Sequence, residues 1–327
     1  MTVAVIDTGH RPHADLAGKI VGGYDFITDL VRANDGDGRD SNAQDPGDWG
    51  SCAASSSWHG THVAGNIGAL ANNSVGSLGV AFNAKIVSAR VLGVCGGYDS
   101  DLADAIRWAS GNPVAGVPAN ANRARVLNLS LSGAGGCPTE TSSAISAARG
   151  QGALVVVAAG NNTADAVNFQ PANCPGVLAV AATDTAGARA SFSNFGSVVG
   201  IAAPGVLIWS TLNAGATVPG VDSYAAYSGT SMAAPHVAGV AALVSSVNPS
   251  LTGDEIATIL KSTAKPFPAG CTGCGSGIVH AKAAVDAAVV TRTRISAAPT
   301  SILIDGSGGV NFSVKATLNN ALISASV

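Results

Sequence analysis

The chain has 327 residues, a length that suits two ordinary domains or one large α/β domain. Hydrophobic residues make up 47% of it, which supplies the apolar surface a core needs and rules out a disordered chain. With 11% charged residues and a formal net charge of −3, it is a poor candidate for gripping nucleic acid or an anionic membrane.

In chain order, residues 3–6 read as a buried strand at the start of the chain, with no leader peptide before them. A secreted protein would then carry its targeting segment upstream. Further strands are expected at 86–91, 126–131, 153–158 and 177–181, each apolar at nearly every position. Between and after them, apolar residues recur at helical spacing over 102–109, 140–149, 232–247 and 281–289. Continuously apolar strands separated by helices predict a mostly parallel sheet covered by helices on both faces. In such a sheet ligands sit outside the C-terminal ends of the strands, so chemistry is sought just after those runs. No apolar run approaches the ~18 residues of a membrane span. Composition changes near residue 289, where Thr291-Arg-Thr-Arg-Ile295 and Pro299 precede alternating runs at 301–304 and 310–315. The expected division is a main domain over 1–288 and, over 289–327, a linker with the opening strands of a β-rich extension.

Six cysteines, Cys52, Cys95, Cys137, Cys174, Cys271 and Cys274, form an even set. Disulfides are the leading reading, with 15 possible pairings. The Cys271-Thr-Gly-Cys274 pair is also compatible with a redox or half-zinc motif, although no second such pair completes a tetrahedral site.

Three short blocks carry chemistry. Asp7 directly follows the first strand in Val5-Ile-Asp7-Thr-Gly9, where a half-buried carboxylate can orient an imidazole. His59 opens His59-Gly-Thr-His-Val-Ala-Gly65, which reads as a helix start after the serine-rich Ser55–Ser57; Ser231 lies in Gly229-Thr-Ser231-Met-Ala-Ala-Pro235, just before an Ala-rich helix. A serine hydroxyl is a weak nucleophile unless a base takes its proton and donors hold the oxyanion. A helix N-terminus offers free N–H groups and a favourable dipole for that charge. Singly, these residues read better as a turn carboxylate, a helix residue and a cap. Together, the order Asp, His, Ser matches one of the known serine-protease orders. His62, three residues beyond His59, suggests a metal ligand only if a third ligand stands nearby, and reads as a packed helix residue.

These blocks resemble the three signature segments of the subtilisin-like serine proteases, the subtilases. The resemblance extends over about residues 3–288, and the disulfide-bearing secreted bacterial branch looks most similar. It implies a three-layer α/β fold with a mostly parallel central sheet. It also implies a secreted, extracellular, monomeric serine endopeptidase that acts on proteins or peptides and is partnered by its own propeptide, with no nucleic acid or membrane involved. Ser231 would be the nucleophile, His59 the general base and acid, and Asp7 its orienting carboxylate. Ala158-Ala159-Gly160-Asn161 resembles the block whose asparagine holds the oxyanion. Ser130, Leu131, Ser132 and Gly133 resemble the strand that pairs with the substrate backbone, and Leu92, Gly93, Gly96 and Gly97 the opposing edge. Ser132 stands where many relatives carry Gly. Compared with the family, the chain starts close to Asp7, so its N-terminal end looks truncated. Esterase chemistry on an α/β-hydrolase scaffold would require Gly-x-Ser-x-Gly, which Ser231 lacks. A non-catalytic relative would have no reason to retain Asp7, His59, Ser231 and Asn161 together.

The resemblance also implies a structural calcium. The loop containing Ala71, Asn73, Val75 and Ser77 resembles a calcium-wrapping loop, and Asp15 matches that site's bidentate carboxylate. A second candidate is the acidic run Asp35, Asp37, Asp40, Asp45 and Asp48, which reads either as a calcium site or as a solvated acidic loop. The expected disulfides are Cys52–Cys95, Cys137–Cys174 and Cys271–Cys274. The first two would brace the two sides of the substrate cleft, and the third would pin a surface turn.

Overall fold

The computed structural model describes residues 1–268, 271–292, 313–318 and 321–326. The chain opens with strand β1 (Thr2–Asp7), followed by β2 (Ile20–Asp25), the single-turn helix α1 (Leu30–Ala33) and helix α2 (His59–Gly68). Strand β3 (Lys85–Arg90), helix α3 (Asp99–Ala109), strand β4 (Val126–Leu129) and the two-residue β5 (Gly133–Ala134) come next. Helix α4 (Thr139–Gly150), strand β6 (Leu154–Ala158), the two-residue β7 (Phe169–Gln170), β8 (Leu178–Thr183) and β9 (Val199–Pro204) continue the pattern. A hairpin of β10 (Ile208–Asn213) and β11 (Asp222–Tyr227) then leads into helices α5 (Thr230–Val247), α6 (Gly253–Ser262) and α7 (Ala281–Arg292). Strands β12 (Ser313–Leu318) and β13 (Ala321–Ser326) form an antiparallel pair. The expected run at 301–304, the linker around Pro299 and the first residues of the 310–315 run lie outside the described residues.

Seven strands form one parallel sheet in the order β2-β3-β1-β4-β6-β8-β9. Successive side chains of a strand point to opposite faces, and the core divides accordingly. Val3 and Val5 of β1 pack with Ile67 of α2, Val237 of α5 and Ile256 of α6, whereas Ala4 and Ile6 pack with Ile106 of α3 and Ile145 of α4. Both faces are thus covered, and the strands need no polar side. Helix α5 is apolar almost all round because it lies in this core, with Ala233, Ala234, Ala238, Ala241 and Ala242 buried. Small residues there let the helix sit close to the strands.

The ends of several elements differ from expectation for local reasons. Helix α3 begins at Asp99, ahead of the apolar residues, because Asp99 and Asp101 in its first turn suit the helix dipole. Strand β4 stops at Leu129, and Ser130 turns its hydroxyl to another segment. Helix α7 runs through Arg292, across the expected boundary at 288, since no Gly or Pro occurs between Ala281 and Pro299 to stop it. The cysteines are joined as Cys52–Cys95, Cys137–Cys174 and Cys271–Cys274, which leaves Cys271 and Cys274 no free thiol to hold zinc.

The chain leaves β1 for the β2 and β3 side of the sheet and returns to β4 on the other side. The sheet therefore changes direction of growth at β1, and the crevice outside its C-terminal end is where a ligand is expected. Asp7 is the last residue of that strand.

Candidate active site

Asp7 is fully buried and takes the amide of Thr8 on Oδ1 at 2.8 Å. The same oxygen lies 2.8 Å from His59 Nδ1. A carboxylate only accepts, so the proton of the neutral imidazole sits on Nδ1 and Nε2 is left free to act as a base. The His59 side chain is 21% exposed against 0% for Asp7, which opens the ring to the cleft while its partner stays dry.

Three features place His59. Trp58 adopts the left-handed conformation (φ 49°), is buried, and donates from Nε1 to Gly215 O at 2.7 Å, so helix α2 starts at His59. Gly60 is required by close approach: a Cβ there would lie 2.0 Å from Gly9 O. Thr8 links the two sides, accepting from Gly60 N at 3.0 Å and donating from Oγ1 to Asp45 Oδ2 at 2.7 Å. Asp45, also buried, takes Gly47 N on its other oxygen. Burial pushes Asp45 up to about 6, against the bonds from Thr8 and Gly47.

Ser231 occupies the first turn of α5. Pro235 has no N–H to bond the carbonyl four residues back, which is that of Ser231. The Ser130 hydroxyl fills the gap at 2.7 Å, and the Ser231 hydroxyl donates to Ser130 O at 3.1 Å. This reciprocal pair ties the start of α5 to the end of β4. Among the described residues no hydrogen bond joins Ser231 Oγ to His59, so a substrate would have to draw the hydroxyl away from Ser130.

Asn161 follows the end of β6 by three residues. Its Oδ1 accepts from both Thr230 N and Thr230 Oγ1, at 2.8 and 2.9 Å, which leaves Nδ2 as the edge turned elsewhere. In the first turn of α5, Thr230 N is used in this way, and Met232 N and Ala233 N reach Gly229 O. Among the described residues Ser231 N finds no acceptor. Asn161 Nδ2 and Ser231 N are therefore two donors available to a developing negative charge.

Burial alone would lower the His59 imidazole. The facing Asp7 charge, its hydrogen bond, and the charges of Asp48 and Asp45 outweigh that and hold it above its ordinary value.

The cleft around these residues has a volume of about 430 Å³, within the range of small-ligand sites. Leu92, Gly93 and Gly96 line one wall, and Ser130, Leu131 and Ser132 another. Thr8, Asp48, Ser57, Asn162 and Thr230 share the lining. Gly97, Gly133, Ala158, Ala159 and Gly160 do not line it. Ala158 and Ala159 are core residues, Gly160 donates to Thr230 Oγ1, and Gly133 pairs with Gln170. His62 is buried, stacks on Tyr227 at 4.5 Å and lies 3.1 Å from Ala225 O, as a packed helix residue should.

The two calcium candidates fare differently. Asp15 is fully buried with no cationic partner among the described residues, and loop 71–77 closes over it. Asn73 Nδ2 and Ser77 N both reach its carboxylate, and Ser77 Oγ is buried without a partner. These residues fit a hard cation once the Asn73 amide turns its oxygen inward. Ala71 and Val75 belong to the same loop. The acidic run, by contrast, does not assemble: four of its five carboxylates take separate partners. Asp35 pairs with Arg90 at 2.7 Å, Asp40 takes Asn42 N, Asp45 holds Thr8 and Asp48 holds Ser57, while Asp37 only donates its amide to Asp35. Among the described residues no three His, Cys, Asp or Glu side chains are placed to share a metal. Sequence reasoning assigned no role to Thr8, Ser57 or Thr230, although each adjoins or lies within a signature block. It set Asp45 and Asp48 in the wrong company.

Comparison with known proteins places this geometry. Residues 1–294 match the Subtilase family. An extracellular protease of Xanthomonas campestris pv. campestris is 58% identical over 297 residues, covering 88% of this chain and 51% of that protein. An extracellular basic protease of Dichelobacter nodosus is 46% identical over 316 residues, 91% of this chain and 52% of that protein. The chain thus spans about half the length of these two relatives. A protease of Pseudoalteromonas arctica has a solved structure that superposes with a TM-score of 0.87 at 54% identity, covering 88% of this chain and 90% of that one. With its motifs, its sheet and these relatives in agreement, the chain belongs to the subtilase family.

Proposed function

We propose that the chain is the catalytic domain of a secreted serine endopeptidase that hydrolyses proteins through an acyl-enzyme. The observation that carries this reading is the convergence, outside β1, β4 and β6, of an oriented imidazole, a hydroxyl and two free donors. Ser231 Oγ attacks the scissile carbonyl while His59 Nε2 takes its proton, and buried Asp7 stabilises the imidazolium. Asn161 Nδ2 and Ser231 N hold the oxyanion. His59 then gives its proton to the leaving amine, and water completes the cycle by the same route in reverse. The segments at 92–97 and 130–133 would pair with the substrate backbone on either side. Casein cleavage that is lost on treatment with a serine-directed phosphonylating reagent tests the reading; cleavage insensitive to the reagent would overturn it.

Because only neutral His59 accepts the serine proton, kcat/KM should rise with pH through the folded His59 pKa. The acid limb is expected above 6.5, as Asp7, Asp48 and Asp45 together favour the imidazolium. A profile flat between about pH 5 and 9 would contradict His59 as base.

We also infer a structural calcium held by Asp15 and the 71–77 loop, with Asn73 as the side-chain ligand. Its contribution is stability, not chemistry. A cation that binds only the folded loop stabilises by mass action, so chelation should lower Tm by on the order of 5 °C. An unchanged Tm would show that hydrogen bonds alone close the loop over Asp15.

A further inference from the structure

We propose that Asp48 makes the cleft selective for a basic side chain in the substrate residue that packs between His59 and the Leu92–Gly93 wall. The inference rests on the endopeptidase reading above and deepens it.

Asp48 lines the cleft together with Ser57, His59, Leu92 and Gly93. Its oxygens accept from Ser57 N and Ser57 Oγ, each at 2.6 Å, which fixes the plane of the carboxylate. An ionised carboxylate has about four acceptor positions, so two remain for a ligand. No Lys or Arg pairs with it among the described residues. Cations of the surrounding segments are committed elsewhere: Arg11 bonds Asp45 O, Arg32 bonds Val94 O and Cys95 O, and Arg90 pairs with Asp25 and Asp35. Apart from His59, the remaining lining is neutral, made of Gly, Ser, Thr, Leu and Asn. Asp45 adds negative charge behind it but spends both oxygens on Thr8 and Gly47. The site is also held in place. The Cys52–Cys95 bridge ties the segment after Asp48 to the 92–96 wall, so the gap between charge and wall is set before a substrate arrives. The charge of Asp48 also acts on its surroundings: it helps Asp7 to raise His59, and it adds to burial in raising Tyr227, whose hydroxyl bonds Ser57 O.

The test is cleavage profiling with the full chain on peptides varied one residue at a time on both sides of the scissile bond. At one position flanking that bond, Lys or Arg should exceed Leu or Gln in kcat/KM by about 3–10-fold at low salt, the size of a partly exposed charge pair. The preference should shrink as ionic strength rises. Asp48→Asn, whose amide oxygen still accepts from Ser57, should remove the preference and move the acid limb of the pH profile down. Asp48→Lys should turn the preference towards Asp and Glu. A wild-type protein with no basic preference beside the scissile bond would overturn the proposal, as would a preference that survives Asp48→Asn. Should either variant fail to fold, the wild-type preference and its decay with salt decide alone. Failure to cleave any peptide would overturn the endopeptidase reading itself, whereas cleavage without charge preference would overturn only this inference.

Discussion

Ser231→Ala should abolish peptide hydrolysis while the protein stays folded. Removing the serine nucleophile of a subtilisin lowers kcat on the order of 10⁶, and a loss of that size is expected here. The cost to the fold is small, because the hydroxyl makes one bond, to Ser130 O. A typical bond of this kind contributes about 1 kcal/mol. The reverse bond, from Ser130 Oγ to the Ser231 carbonyl left open by Pro235, uses the main chain and survives the change. Turnover on a chromogenic peptide, with thermal melting of the same sample, reads both effects. Wild-type-like turnover would sink the assignment of Ser231 as nucleophile.

The second large effect concerns Asn161. Asn161→Ala should reduce kcat by about 10²–10³ with little change in KM, the signature of a donor that matters only once the oxyanion forms. The figure is the one known for the equivalent asparagine of a subtilisin. This change also removes the acceptor for Thr230 N and Thr230 Oγ1, so some loss of stability comes with it. Asn161→Asp separates the two effects, because it keeps an acceptor for Thr230 but has no Nδ2 donor. Both variants should be slow and the aspartate variant the more stable. Normal kcat in both would remove Asn161 from the oxyanion site.

Much of the fold could be read from the sequence because a parallel sheet buried on both faces needs apolar residues at every strand position. β6 and β8 carry that signal almost throughout and β1 between its end residues, while Ser88 in β3 and Asn128 in β4 break it with single buried polar residues. β2 does not carry it: as an edge strand its one neighbour in the sheet is β3, and Gly22 and Gly23 thin its apolar pattern. Helix α6 was not among the expected elements, although Thr252 followed three residues later by Glu255 is a start signal, and the structure forms that capping box. Asp7, His59, Asn161 and Ser231 were conspicuous because each sits in a short block of constrained neighbours. Asp45 and Asp48 were misread for the opposite reason. Charge density in a sequence says nothing of direction, and the partner of Asp45 is Thr8, 37 residues away. Charge that looks clustered along the chain can be parcelled out in space.

The buried Asp45 behind Thr8 has a thermodynamic consequence. Its carboxyl titrates near 6 in the folded protein and near its ordinary 3.8 once unfolded. Between those values the folded chain holds a proton that the unfolded chain has released, so acidification through this window favours folding. Above about 6 the ionised group instead weighs against the fold, by on the order of 3 kcal/mol. His59 acts in the same sense. Its raised pKa contributes stability that is present below its unfolded value and is lost as pH rises through the folded one. Both groups therefore make the cleft firmest under mildly acidic conditions, where His59 is protonated and idle. For these two groups the conditions that free the base for catalysis are those that weigh against its scaffold. His10 and His62, which burial pushes down to about 4, instead lose stability as pH falls below their ordinary 6.5, so opposing titrations meet in and around the same cleft.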